Sequence, residues 1–354
     1  MNKVVGTAGL FLFLLFWGLI LAPPFVWGNQ ANIFVYHRFG DDRYPSTNVS
    51  LETFEAHLKI LQKENVEVLP LGEVVKRLRQ RRPLPPACAV LTVDDGYRSF
   101  LSGAMPLLRR FGYPATLFVS SGAVGGPGFL SWQELHALAQ EGIEIGNHSA
   151  SHMHLVEKKA GETTAQWRAR VKGDVAAAQA DFSTHLGQEA TLFSYPYGEY
   201  CPELVDLVAE LGFSGAAGQQ SGVVRSANQL YALPRFPMGG SFASVEGFSS
   251  KLKMKALPVQ IIAPQSSLLA EENPPLLRVA IDDNEVDLRR LRCFVSGQEN
   301  GRIQPDPSLP NGYLVQANAP LMSRRSKYTL TAPSKNGKSW YWFSQLWIRT
   351  DVPE

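Results

Sequence analysis

From residue 32 onward the hydrophobic and polar positions fall into two alternating patterns. Short unbroken apolar runs read as buried strands: IFVYH (33–37), ACAVLTV (87–93), PATLFVS (114–120), IEIGNH (143–148) and TLFSYP (191–196). Between them apolar residues recur at helical spacing, as with Phe54, Leu58 and Leu61 behind the cap residue Ser50. Ser131 with Glu134 forms a capping box that opens WQELHALAQEG, which Gly142 closes. Further helices are predicted over LGEVVKRLRQRR (71–82), around 97–111, across the Ala-rich stretch 162–186 and over PELVDLVAELG (202–212). VEVLP, FSGAAG and YALPRF complete a set of seven or eight strands separated by helices, with no hairpin signal. That order predicts a parallel α/β architecture, a barrel being its expected closure.

After about residue 250 the helical period disappears. LLRVAID, LRCFVSG, YLVQANA, KYTLTA and WYWFSQLWI are strand-like runs separated by Pro- and Gly-rich turns such as PDPSLPNG. They predict a small all-β, sandwich-like domain. The chain therefore divides into residues 1–31, a barrel over 32–250 and a β domain over 251–354.

Residues 4–22 carry no charge and follow Lys3. At ~1.5 Å per residue they would span roughly 28 Å, close to a bilayer core. An uncleaved membrane anchor and a cleaved signal peptide both fit, and either places the remainder outside the cytoplasmic membrane. The rest of the composition is globular, with 45% hydrophobic and 19% charged residues. With 34 Lys+Arg against 32 Asp+Glu the net charge is +2, without the basic excess that nucleic-acid binding requires. Three dispersed cysteines, Cys88, Cys201 and Cys293, suggest neither a disulfide framework nor a zinc knuckle.

Two clusters follow predicted strands, at the rim where parallel α/β folds build their active sites. Asp94-Asp95-Gly96 ends the run 87–95, and two adjacent carboxylates repel unless a positive group sits beside them. His148-Ser149-Ala150-Ser151-His152 follows IEIGN. Histidines at i and i+4 share one face of a helical turn and can chelate one ion. One aspartate with two histidines makes a facial set that leaves coordination positions open, as a catalytic metal does. A DDG is by itself usually a turn, and HxxxH is more often surface or core histidine. Their joint position at two strand ends is what gives them weight.

These segments resemble the polysaccharide deacetylases of carbohydrate esterase family four, the NodB-like domain. The first family motif, T-F-D-D-G, reads Thr92-Val93-Asp94-Asp95-Gly96 here, and H-[ST]-x-x-H is His148 to His152. The third, R-x-P-Y, reads Ser194-Tyr195-Pro196-Tyr197, with serine in place of arginine. That departure and the opening VYHRFGDDRYPSTNVSLETFEAHL resemble the subgroup acting on extracellular poly-β-1,6-N-acetylglucosamine. The resemblance implies a distorted (β/α) barrel of about seven strands and metal-dependent removal of N-acetyl groups. Asp95, His148 and His152 are then the ligands of zinc or another divalent ion, Asp94 is the catalytic base, and the Tyr197 backbone N–H helps hold the oxyanion.

Many relatives take the general acid from a late histidine. After His154 this chain has only His185; the resemblance to the poly-β-1,6-N-acetylglucosamine subgroup implies His37, at the end of the first strand, as the substitute, a core histidine being the alternative. Arg235 is expected at the substrate rim or paired with Asp94, and Trp132 is a candidate lining residue for the substrate groove. The expected partners are an N-acetylated polysaccharide, a membrane if residues 1–31 persist, and an exopolysaccharide export machinery. Rival readings are a peptidoglycan or chitin-oligomer deacetylase and a non-catalytic glycan-binding or export protein. A non-haem iron oxygenase shares the facial set but has no need of the adjacent aspartate. The basic stretch Lys76–Arg82 reads as a solvated helix end. Trp340, Trp342 and Trp347 could present a sugar-binding face or fill a core.

Overall fold

A computed structural model describes residues 30–225, 230–269, 271–281 and 285–353. The anchor or signal segment expected over 1–31 therefore lies outside the described residues except for its last two. No helix among the described residues is long and apolar enough to cross a membrane.

Seven parallel strands form the barrel: β1 (Asn32–Tyr36), β2 (Cys88–Val93), β3 (Thr116–Val119), β4 (Glu144–Asn147), β5 (Leu192–Ser194), β6 (Gly215–Ala217) and β7 (Phe236–Pro237). Every residue of β1 and β2 is buried, because a parallel sheet is covered on both faces and its strands can be apolar throughout. The spatial order is β7-β1-β2-β3-β4-β5-β6, and the short strand Glu67–Val68 joins at the start of β2. Between β6 and β7 no strand pairing is present among the described residues; the bridge Ala217–Leu233 and the bond from Arg235 N to Gln220 O at 2.9 Å join that side, so the barrel is distorted there.

The helices are α1 (Leu51–Lys63), α2 (Leu71–Arg79), α3 (Met105–Phe111), α4 (Trp132–Gln140), α5 (Thr164–Leu186), α6 (Pro202–Glu210) and α7 (Val245–Leu252). Ser50 caps α1 by accepting from Thr53 N at 3.1 Å, and Ser131 with Glu134 closes both bonds of the capping box at α4. Thr163 and Gln166 do the same for α5, which ends at the left-handed Gly187. The helix expected around 97–111 starts as a wide π turn over Phe100–Ala104 and tightens into α3, where Pro106 sits in the first turn and needs no N–H partner. The basic end of α2 is partly tied down: Arg77 pairs with Glu73 at 2.7 Å and Arg79 donates to Ser214 O at 2.9 Å.

The C-terminal part is all-β. One four-stranded sheet has the order β8 (Met254–Ala256), β15 (Trp340–Ile348), β14 (Arg325–Pro333), β11 (Arg292–Val295). The other has the order β9 (Val259–Ala263), β10 (Leu277–Ile281), β13 (Gly312–Gln316), β12 (Arg302–Pro305). Leu277, Val279 and Ile281 of one sheet meet Tyr328, Leu330 and Tyr341 of the other in a single core. The sequence pattern did not disclose β8, β9 and β12; β8 has three residues, and β12 (RIQP) is too polar to carry a two-residue period.

The two parts meet at the cleft side of the barrel. Alternation along β14 sends Tyr328 and Leu330 into the sandwich core, and Arg325 and Lys327 to the opposite face, where they line the barrel's cleft. Trp342 of β15 packs edge-on against Phe236 of β7 at 5.6 Å and donates to Ser221 O at 3.2 Å. Trp347 is buried and Trp340 is 41% exposed, so these tryptophans serve mainly core and interface rather than one sugar-binding face.

Candidate active site

The C-terminal ends of β1, β2, β4, β5 and β6 place His37, Asp94 and Asp95, His148, Ser194 to Tyr197, and Gln219 around one cleft of about 590 Å³. His37, Asp95, His148, His152, Tyr197 and Gln219 line it directly.

Asp95 Oδ1 is 3.3 Å from His148 Nε2 and 3.1 Å from His152 Nε2. One donor atom from each of these residues lies within 4.8 Å of the other two. His148 Nδ1 donates to Ser194 O at 2.7 Å, which leaves Nε2 as the ring nitrogen that faces Asp95. A second hydrogen bond of this kind fixes tautomer and ring in metal-binding histidines. Two imidazole nitrogens converging on one carboxylate oxygen form a donor set that fits a divalent cation, and zinc is one that accepts it.

The histidine loop is not the helical turn that the i, i+4 spacing suggested. After β4 the chain leaves the sheet as an irregular loop, with Ser149 at φ 66° and His152 at φ 52°. Asn147 Oδ1 accepts from Ser149 N at 2.7 Å, Ser149 Oγ accepts from His152 N at 2.9 Å, and Asp174 of α5 accepts from Ser151 N at 3.1 Å. These side chains replace the backbone bonds of a helix and turn both rings toward Asp95. Asp95 (φ 78°) and Tyr197 (φ 60°) are also left-handed. Four of the seven non-glycine residues with positive φ among the described residues thus sit at this site. Such backbone costs ~1–3 kcal/mol per residue and persists where the surroundings enforce it.

Asp94 is fully buried beside this donor set. Arg235, also fully buried, donates from Nη1 to Oδ1 and from Nη2 to Oδ2, both at 2.7 Å. Burial alone would raise the Asp94 pKa, but the Arg235 charge, then His148 and the Arg235 hydrogen bonds, hold it below the usual carboxylate value. Arg235 Nη2 also donates to Ser194 Oγ at 2.9 Å. The guanidinium missing from Ser-Tyr-Pro-Tyr is therefore supplied beside position 194 by a residue of the last barrel turn. Arg235 pairs with Asp94 and is sealed from the cleft, so the rim position is not where it acts.

Trp132 stands apart from the cleft. Its ring stacks on His185 at 4.5 Å and meets Phe182 edge-on, packing α4 against α5. His37 lines the cleft as expected, while Cys88, Cys201 and Cys293 are buried, unpaired thiols.

Several contributors had no motif to mark them. Gln219 Nε2 reaches Asp94 Oδ2 at 3.4 Å, and its only signal was its place just after β6. Glu199 is buried next to the Tyr197 loop, where it accepts from Arg324 at 2.7 and 3.0 Å, from Arg325 at 3.1 Å and from His154 at 2.9 Å. Burial pushes its pKa up, but the Arg324 bonds and the His154 and Arg324 charges outweigh that and bring it below the ordinary value. His154 in turn stacks on Tyr197 at 3.9 Å. The β domain thereby clamps the segment that carries Tyr197.

Residues 81–216 match the sequence profile described as polysaccharide deacetylase. A Bacillus subtilis relative is 28% identical over 203 residues, covering 57% of this chain and 69% of its own. The Escherichia coli K12 protein named poly-beta-1,6-N-acetyl-D-glucosamine N-deacetylase is 21% identical over 344 residues, 85% of this chain and 50% of the relative. The chain thus spans half the length of that relative. Among solved structures, the Streptococcus pyogenes deacetylase PplD in complex with acetate superposes with a TM-score of 0.57 at 20% identity, over 63% of this chain and 98% of PplD.

Proposed function

We propose, on the premise that this chain carries a polysaccharide deacetylase domain and is a hydrolase, that it removes N-acetyl groups from an N-acetylhexosamine polymer such as poly-β-1,6-N-acetylglucosamine. The observation that carries the reading is the convergence of Asp95, His148 and His152 beside an arginine-paired Asp94. The name of the E. coli relative supports the substrate class. The apolar stretch 4–22 supports action outside the cytoplasmic membrane.

Asp95, His148 and His152 would hold a divalent ion, zinc or another, which supplies a Lewis acid for water and for the amide carbonyl. Asp94 is kept ionised by Arg235 and takes the proton of the attacking water. Both of its oxygens accept from Arg235, and Oδ2 also lies within reach of Ser194 Oγ and of Gln219, which lines the cleft. Because Asp94 is fully buried, that water must be admitted through the floor formed by Asp95, His148 and Gln219. The backbone N–H of Tyr197, in its enforced left-handed conformation, helps stabilise the oxyanion. His37 protonates the departing amine, leaving a free amino sugar and acetate.

Acetate release from β-1,6-linked N-acetylglucosamine oligomers, with and without a chelator, tests the proposal. Chelator-sensitive release is expected. Absence of release by metal-loaded protein from any N-acetylated glycan overturns it.

A further inference from the structure

Lys327 brings a positive charge into the catalytic cleft from outside the barrel. It lies on β14 two residues after Arg325, and both side chains line the cleft that contains His37, Asp95 and Tyr197. The two cations are held differently. Arg325 donates to Glu199 Oε1 at 3.1 Å. Lys327 Nζ lies 3.4 Å from Ser221 Oγ, and among the described residues no carboxylate is within ion-pair distance of it. Burial, then the Arg325 charge, draws its pKa below that of an ordinary lysine.

Lys251 of α7 adds a third cation close by, its pKa drawn down to about 8 by burial and then by Lys327. The carboxylate that lines the cleft is Asp95, which faces the two imidazoles. A half-buried ammonium with a hydroxyl as its partner is costly to the protein alone and is relieved by an arriving anion. Phe242, 58% exposed at the same cleft, offers a flat apolar face for a sugar ring.

We propose that Lys327, with Arg325 beside it, forms a subsite for a carboxylate carried by the glycan next to the acetamido group being cleaved. This rests on the reading of the cleft as an N-acetylhexosamine deacetylase site and adds to it a preference for acid-bearing polymers.

The test uses the full, metal-loaded chain and three β-1,6-linked N-acetylglucosamine hexamers: unsubstituted, O-carboxymethylated and O-hydroxyethylated. The last two differ in charge at nearly equal size. The wild type is expected to favour the carboxymethyl over the hydroxyethyl hexamer ~10-fold in kcat/KM at low salt, with the preference shrinking as salt rises. Lys327→Met brings the ratio to unity and Lys327→Arg retains it. A wild-type ratio of unity, or a preference that survives in Lys327→Met, overturns the subsite. Equilibrium binding of the three hexamers is read on the same samples. Absence of turnover on all of them overturns the deacetylase reading, while the binding ratio still decides this one.

Discussion

Arg235 and Asp94 face each other as a two-bond pair, 2.7 Å at each contact, with both side chains fully removed from solvent. Neither charge has water to fall back on, so each depends on the other. Arg235→Met strands the Asp94 carboxylate and is expected to cost about 3–5 kcal/mol of stability. Adding Asp94→Asn to that variant should restore part of the loss. Chemical denaturation of the two single variants and the double variant measures the coupling, and simple additivity would show that the pair does not act as a unit.

The donor set makes a separate prediction. His148→Ala and His152→Ala should each lower divalent-metal content and acetate release together. Ser194 contributes to this set through its backbone carbonyl, which holds His148 Nδ1. Ser194→Ala should therefore keep the metal while losing the hydroxyl that meets Arg235 and Asp94. Metal counting alongside turnover separates the two effects, and metal loss in Ser194→Ala would contradict this division.

Glu199 joins the β domain to the Tyr197 segment. Glu199→Gln removes the charge that two arginines and His154 share, and about 3 kcal/mol of stability is expected to go with it. Hydrogen exchange across residues 195–200 should rise and kcat should fall roughly 10-fold, since misplacing an oxyanion donor acts on the transition state. Unchanged exchange with normal kcat would mean that the clamp is structural decoration.

A buried histidine far from the ligands sets part of the acid sensitivity. His57 Nδ1 accepts from Tyr36 Oη at 3.0 Å and Nε2 donates to Ala243 O at 3.0 Å, while its ring stacks on Phe248 at 4.2 Å. Burial lowers its pKa to about 4; the Ala243 bond opposes this and the Lys251 charge adds to it. The unfolded chain, with an ordinary histidine pKa near ~6.5, therefore binds a proton before the folded one does. Stability from this group is complete above about pH 6.5 and is lost as pH falls toward 4, by ~3 kcal/mol in all. His57→Gln should flatten the stability profile across that window in denaturant titrations. An unaltered profile would assign the acid sensitivity elsewhere.

How much of this was legible in the sequence depended on whether a residue's role was local. The strands could be read because buried parallel strands are apolar throughout, as in CAVLTV of β2. The candidate donor set could be read because Asp95, His148 and His152 occupy short motifs at strand ends. The loop conformation could not, because the spacing of two histidines is the same in a helical turn and in the side-chain-supported loop that is present. Trp132 shows a related limit, since a tryptophan at a helix start fits a groove wall as well as the α5 contact that it makes. Arg325, Lys327 and Glu199 act across an interface between segments more than 120 residues apart, and no local pattern records such a meeting. Arg235 is intermediate: its strand was visible, but that it fills the space beside Ser194 emerges only when the barrel closes.

On the proposed mechanism Asp94 works as a base beside a metal held by Asp95, His148 and His152. The most direct test is acetate released from a β-1,6-N-acetylglucosamine pentamer by metal-loaded wild type and Asp94→Asn, with bound metal counted in the same samples. Steady release by the wild type, abolished by a chelator, is expected. Asp94→Asn is expected to fall ~10²–10⁴-fold with metal content near the wild-type value. Turnover by Asp94→Asn at the wild-type rate, or loss of its metal along with its activity, would overturn the assignment of Asp94 as the base.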